Sequence, residues 1–257
     1  MANPKQRISP TQQPSPEGQL PLAQLRNRSK ARLLDAALHL IRSKGYAATA
    51  VDDICHRAGV TKGSFFHHFK SKDALALCAI AHWRAVTEAL FAAAPYHEVQ
   101  DPLDRLLGYL DFRAAILTGE LAEYTCPLGS LVQETYATHP EIRAACKEAL
   151  SVQIDELAGE VEAAKRLYAP DAPWSAESVG NYMQAVLQGS FILAKADLSP
   201  TVIRENLEHL RRTLRGLFQP GSYSETRKED CSPKPHPAEP VEEAEEEYDS
   251  GRSHFVD

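Results

Sequence analysis

Residues 49–69 read TAVDDICHRAGVTKGSFFHHF, and the grammar of this stretch decides the fold. Thr49 followed by Asp52 forms a T-x-x-D capping box that opens a short helix over 51–58, and Gly59 ends it. After the turn Gly59-Val60, Thr61 caps a second short helix that runs to about His68. Two short helices joined this tightly form a helix-turn-helix. Ile54, Ala58, Val60 and Phe65 are the apolar positions that bury one helix against the other. With them inside, Thr61, Lys62, Ser64, Phe66, His67 and His68 are left on or near the outer side. So short a helix is unstable alone, so its neighbours must hold it rigidly. A rigid, basic helix end is what can enter a major groove.

Working outward, nearly everything between residues 26 and 219 reads as helix. Leu33, Leu34, Ala37, Leu38 and Ile41 form a one-faced apolar stripe, and Gly45 stands where a left-handed C-terminal residue is expected. Ser71 caps a longer helix with Asp73 in its first turn. Asp101-Pro102-x-Asp104 supplies a cap, a first-turn proline and an acid, and Thr138-x-Pro140-Glu141 repeats the pattern. Ser175-x-Glu177 and Ser199-Pro200 open the last two helices. In the final one, Ile203, Leu207, Leu210, Leu214 and Leu217 keep a 4-3-4-3 spacing. Its partner carries Val179, Tyr182, Met183, Val186, Leu187 and Ser190. Such a pair is either core or a four-helix interface with symmetry mates; the expected interface residues are Val179, Met183, Val186, Leu187, Ile203, Leu207, Leu210 and Leu214. Neither period-2 alternation nor an internal repeat is visible. The expected fold is all-α: a three-helix helix-turn-helix unit over 27–87 and a helical bundle over 88–219. Pro/Gln/Ser-rich residues 1–26 and Glu/Pro/Ser-rich residues 220–257 are expected to be disordered.

The formal charge of −7 is unevenly placed. Residues 26–84 hold 11 Lys/Arg against 4 Asp/Glu, whereas 85–220 hold 11 against 19 and 221–257 hold 4 against 11. A basic segment on an acidic body suggests that only the first part meets a polyanion. The 5 cysteines, Cys55, Cys78, Cys126, Cys146 and Cys231, form no CxxC pair, which suits reduced thiols; with no HExxH either, no metal or cofactor is expected. No apolar leader or stretch of roughly 18 uncharged apolar residues is seen, so no membrane and a cytoplasmic location are expected. Residues 85–218 show no nucleophile-base pair and no glycine-rich phosphate loop, so binding rather than catalysis is expected there.

The run AGVTKGSFFHHFKSKDAL over 58–75 closely resembles the N-terminal signature of the TetR/AcrR family of bacterial transcription factors. The resemblance extends over about 27–84. It implies a homodimer that binds palindromic double-stranded operator DNA, represses, and is released by a small-molecule effector. Carried over, it implies that Thr49 and Lys72 contact phosphates while Thr61, Lys62, Ser64 and His67 lie in or beside the major groove. Helix N-termini at Thr49 and Thr61 offer N–H groups to phosphate, and Ser64 and His67 can bond base edges. His67 and His68 are alternatively surface or packing histidines. Gly63 either admits close backbone approach to DNA or relieves crowding between helices. Phe66 stands where the family often has Tyr and so lacks a phosphate bond. Arg26, Arg28, Lys30 and Arg32 form either a DNA-contacting arm or a solvated face.

The resemblance also implies an effector cavity in the C-terminal half. Aromatic candidates for its lining are Tyr109, Phe112, Tyr124, Tyr136, Trp174 and Tyr182, with Trp83, Phe91 and Phe191. In Tyr124-Thr125-Cys126-Pro127, the thiol falls at a helix start, where the dipole favours thiolate. The stretch CPLGSLVQE looks like a segment of a TetR subgroup that includes regulators responding to electrophiles or small unsaturated acids. Cys126 is therefore either an inert packed thiol or a site of reversible modification.

Overall fold

A computed structural model describes residues 22–219, in which ten α-helices, one 3-10 turn and no strand are found. The expectations for residues 1–21, for Cys231 and for the acidic tail lie outside the described residues. Residues 22–26, expected to belong to a disordered arm, are helical instead. Leu, Ala, Gln, Leu and Arg are strong helix formers that extend α1 (Leu22–Lys44) toward the N-terminus.

The helix-turn-helix core is built as its apolar spacing requires. α1 buries Leu33, Leu34, Ala37, Leu38 and Ile41 against α2 (Val51–Ala58), α3 (Lys62–His68) and α4 (Lys72–Ala92). Ile54 and Phe65 are wholly enclosed and lock α2 to α3. Gly59 turns the chain at φ +60, with its N–H donating to the carbonyls of Cys55 and His56. Thr61 caps α3 by accepting the Ser64 N–H at 3.2 Å, and Ser71 caps α4 by accepting that of Ala74 at 3.1 Å.

One cap falls a residue later than the T-x-x-D reading. The N-cap of α2 is Ala50, whose N–H donates to the Asp53 carboxylate at 3.0 Å. Thr49 is 1% exposed, and its hydroxyl donates to the Gly45 carbonyl at 2.6 Å. The assignment of Thr49 to phosphate is therefore corrected: its side chain fixes the loop after α1 and has no surface to offer.

The C-terminal half is organised around α8 (Pro140–Tyr168), whose 29 residues span ~44 Å. Against it pack α4, α5 (Pro102–Ala115), α7 (Pro127–Thr135) and α9 (Ala176–Asp197); the 3-10 turn Pro95–Glu98 and the single turn α6 (Leu121–Tyr124) link them. The N-cap of α8 is His139, whose side chain makes no capping bond, rather than Thr138. By length and composition α4 passes as apolar enough to cross a membrane, although it carries Arg84 and Glu88 and so is no uncharged stretch. Here it buries Leu75, Ala76, Ala79 and Ile80 within the bundle.

α10 (Thr201–Leu217) lies along α9 and requires a second correction. Ile203, Leu207, Leu210 and Leu214, with Val179, Met183 and Leu187 of α9, are buried inside the protomer. Only Val186 of the eight expected interface residues is half-buried. The seam is core. The outward stripe of α9 is different: Tyr182, Ala185, Leu193 and Ala196 are exposed, and a Cβ on Gly189 in the same stripe would meet nothing within 4 Å.

Candidate DNA interface and effector cavities

α3 presents an outer face of Lys62, Gly63, Phe66 and His67, all exposed, with Ser64 and His68 half-buried beside them. Phe66 is 52% exposed, while the adjacent Phe65 ring is buried edge-on against it at 5.2 Å. A Cβ on Gly63 would meet only the Thr61 hydroxyl, at 3.8 Å, so crowding between helices does not account for this glycine. The His67 and His68 rings lie 5.1 Å apart. The Lys62 ammonium pairs with Asp52 at 2.9 Å, both side chains largely exposed. Such a pair is worth at most ~1 kcal/mol and exchanges readily for a phosphate. Arg28, Lys30 and Arg32 are exposed on α1, and Arg32 donates to the Gly59 carbonyl at 3.3 Å.

Lys72 is committed inward. Its ammonium donates to the carbonyls of Tyr46 (3.0 Å) and Thr49 (3.2 Å) and lies 4.2 Å from the centre of the Tyr46 ring. It braces the loop between α1 and α2 and keeps partial exposure.

Two neighbouring cavities open in the C-terminal half. The larger, of about 510 Å³, is walled by α4, the 3-10 turn, α5 and α8. Phe91, Tyr96 and Tyr109 form its aromatic side, and burial pushes the Tyr96 hydroxyl up to about 12. Arg84 pairs with Glu88 at 3.1 Å and Arg105 with Glu160 at 2.8 Å. Two charges of the lining form no ion pair among the described residues. Arg113 stacks over Phe91 at 4.4 Å and donates to the Tyr109 hydroxyl at 2.9 Å; Glu156 has its carboxyl pushed up by burial and by the Glu88 charge.

The second cavity, of about 210 Å³, shares Thr87, Phe91, Arg113 and Gln153 with the first. Trp83, Tyr124, Cys126, Gln184 and Phe191 also line it. Trp83 Nε1 and Gln184 Oε1 are buried without a hydrogen-bond partner. Leaving such atoms unsatisfied costs ~1–3 kcal/mol each. The Arg42 guanidinium lies over the Trp83 ring at 4.9 Å. Arg42 in turn donates to the carbonyls of Glu123 (2.9 Å) and Thr125 (3.4 Å), the residues just ahead of Cys126.

Cys126 is the N-cap of α7, as the Thr-Cys-Pro spacing implies, and is 8% exposed. It also borders a third, open cleft of about 300 Å³ that includes Arg42, Lys195 and Glu134. Lys195 donates to the Ser130 hydroxyl at 2.7 Å, and burial lowers its ammonium from the usual lysine range. Cys146 is enclosed, its thiol pushed up to about 12 by burial.

Of the aromatic candidates, Tyr109 and Tyr124 line the cavities, as do Trp83, Phe91 and Phe191. Phe112 packs behind the lining on Phe91, at 5.2 Å between ring centres. Three others are corrected. Tyr136 and Tyr182 are solvent-exposed, and Trp174 packs on Phe218 and Lys165 at the α8–α9 turn. The sequence reading missed Arg113, Glu156 and Gln153, which amphipathic helices disguise as solvated positions. Gln184 did leave a signal: it falls on the buried stripe of α9 beside Met183 and Leu187.

A capped helix-turn-helix on an all-helical, cavity-bearing body defines a DNA-binding transcriptional regulator. Residues 33–78 match the family model for bacterial regulatory proteins of the tetR family, and residues 102–209 match the C-terminal domain of LmrA/YxaF-like transcriptional regulators. An HTH-type transcriptional regulator from the lacX 3′ region of Lactococcus lactis subsp. lactis is 27% identical, over 73% of this chain and 93% of that one. The transcriptional regulator AcuR of Cereibacter sphaeroides is 30% identical, over 65% of this chain and 77% of its own. The crystal structure of a regulatory protein TetR from Rhodobacter sphaeroides superimposes with a TM-score of 0.65 at 25% identity, over 74% of this chain and 98% of that one. The chain belongs to the TetR family of transcriptional regulators.

Proposed function

We propose that this regulator is a cytoplasmic homodimeric repressor without catalytic activity that binds a palindromic operator and leaves it when a small molecule occupies the second cavity. One observation carries the effector reading: the unpaired Trp83 donor and Gln184 acceptor at a void of about 210 Å³. A void of that size holds roughly seven water-sized groups at ~30 Å³ each. The effector is thus a compact molecule that lies between Trp83, Gln184 and Cys126. An electrophilic effector would alkylate or oxidise that thiol. Occupancy acts by favouring a dimer whose recognition helices no longer match half-sites about one helical turn, ~34 Å, apart. The outward stripe of α9, with the exposed face of α10, is the surface for the second copy.

Selection of bound sequences from random DNA by the purified full-length protein tests the first part. The expected result is a palindrome bound with steep salt dependence. Recovery of no enriched sequence overturns the DNA-binding reading. On that operator, Cys126→Ser should abolish release by electrophiles; unchanged release by every electrophile tried would leave Cys126 a packing residue.

A further inference from the structure

Where the two halves meet, polar contacts gather on the short loop after α1. Glu134, in the last turn of α7, accepts the Tyr46 N–H at 2.8 Å through one carboxylate oxygen and the Ala47 N–H at 2.8 Å through the other. The loop is shaped for this grip. Gly45 has φ +88, and a Cβ there would sit 2.5 Å from Glu134 Oε1, so any other residue would both strain the backbone and expel the carboxylate. Tyr46 is held on its remaining sides as well. Lys72 binds its carbonyl, Asp73 accepts its hydroxyl, and the His139 ring meets its own edge-on at 5.6 Å.

The other end of α7 begins at Cys126, on the wall of the second cavity. Eight residues of helix, ~12 Å, separate that wall from the carboxylate. A rigid helix whose N-cap borders a void and whose last turn grips the loop supporting α2 and α4 is a strut between them.

From this juxtaposition we infer that Glu134 is a positioning residue of the DNA-binding half: α7 transmits the state of the second cavity to the helix-turn-helix through the Glu134 clamp on Tyr46 and Ala47. The inference deepens the effector reading above and rests on it for the cavity's role; the clamp stands on its own geometry. A charge-assisted bidentate grip on two backbone N–H groups has no apolar substitute. Glutamine retains one acceptor oxygen and turns an NH₂ toward a donor, so even this isosteric change breaks the pair.

The test uses the full-length protein with Glu134→Gln and Glu134→Ala, and Gln133→Ala on the same helix as control. Amide exchange at Tyr46 and Ala47 should rise about ten- to a hundredfold in both Glu134 variants and stay unchanged in the control. Affinity for the selected operator should fall about tenfold in Glu134→Ala, with the slope against salt unchanged because no phosphate contact is lost, and with Tm lowered by only several degrees so that the protein stays folded at the assay temperature. Cys126→Phe, which intrudes on the second cavity, should change operator affinity in the wild-type background and less than twofold in the Glu134→Ala background. Unchanged exchange at Tyr46 and Ala47 overturns the clamp. Additive effects of Cys126→Phe and Glu134→Ala, or no effect of Cys126→Phe in either background, overturn the transmission. A protein that binds no DNA overturns the regulator reading instead, and the exchange measurement still decides the clamp. Should Glu134→Ala fail to fold, Glu134→Gln carries the same readouts.

Discussion

Tyr46 has its N–H, carbonyl, hydroxyl and ring engaged by four side chains from three segments, and this separates the roles of residues that look alike in sequence. Thr49 and Lys72 both act on the loop around it, one from inside and one from its edge. Thr49→Val should therefore lower stability by ~1 kcal/mol, the worth of its bond to Gly45, and leave operator preference intact. A urea midpoint and a binding titration check the two halves of that statement. Lys72→Ala should weaken binding about equally on all sequences, because the loop it braces orients the whole unit. Ser64→Ala and His67→Ala should each cost ~1–3 kcal/mol at particular bases and little elsewhere. Equal losses on every sequence for all three would remove the base-reading roles from α3. The outer face of α3 was legible because assigning the apolar residues to the inside leaves it no other place. Thr49 was misread because TAVDD contains two overlapping cap registers, Thr49 to Asp52 and Ala50 to Asp53, and only the backbone path out of Gly45 chooses between them.

At the scale of helices, spacing reports which residues share a face and is silent about what covers it. The 4-3-4-3 series of α10 fits a coiled-coil seam and a core stripe equally, since both put apolar residues on one side of a 3.6-residue helix. The helix starts at Pro102, Ala176 and Thr201 were legible because proline, acid and hydroxyl positions act within one turn. The cavities were not, because their walls come from α4, α5, α8 and α9, whose charged members read locally as solvated. The corrected faces of α9 and α10 predict opposite phenotypes. Leu207→Ala should cost ~2–5 kcal/mol in unfolding by urea and leave the sedimentation coefficient at low denaturant unchanged. Leu193→Asp on the exposed stripe should leave a folded protomer, by circular dichroism, that sediments as a monomer and binds the operator weakly. A Leu193→Asp protein that remains dimeric would place the second copy elsewhere.

Across the whole molecule, the separation of a basic N-terminal unit from an acidic body was plain in the sequence, and it makes stability as well as binding sensitive to solution conditions. His39 lies on α1 beside Arg57 and Arg42, and burial followed by those two cations lowers its pKa from the ordinary histidine value near 6.5. A depressed pKa means that the unfolded chain takes up the proton first as pH falls. Stability is therefore fully present above about 6.5, and it is lost as pH drops from there through the folded value. The carboxylates that gain stability from being charged, Asp53 through Lys44 and the Ala50 N–H and Asp101 through Tyr168 and its own α5 cap, have folded values below about 3.8 and act in a lower window. Glu156 works against them. Its carboxyl is pushed up by burial, so its penalty is absent at low pH and grows as pH rises from about 4.5 through its folded value. Between about pH 6.5 and 4.5 the slope should thus report His39, with Glu156 opposing at the acid end. Urea midpoints across this range should fall with pH in the wild-type protein and flatten in His39→Gln. Removal of Glu156, as Glu156→Gln, should steepen the fall at the acid end of this range. A His39→Gln protein that keeps the wild-type slope would assign the titration to other histidines and remove the Arg57–Arg42 pair as its cause.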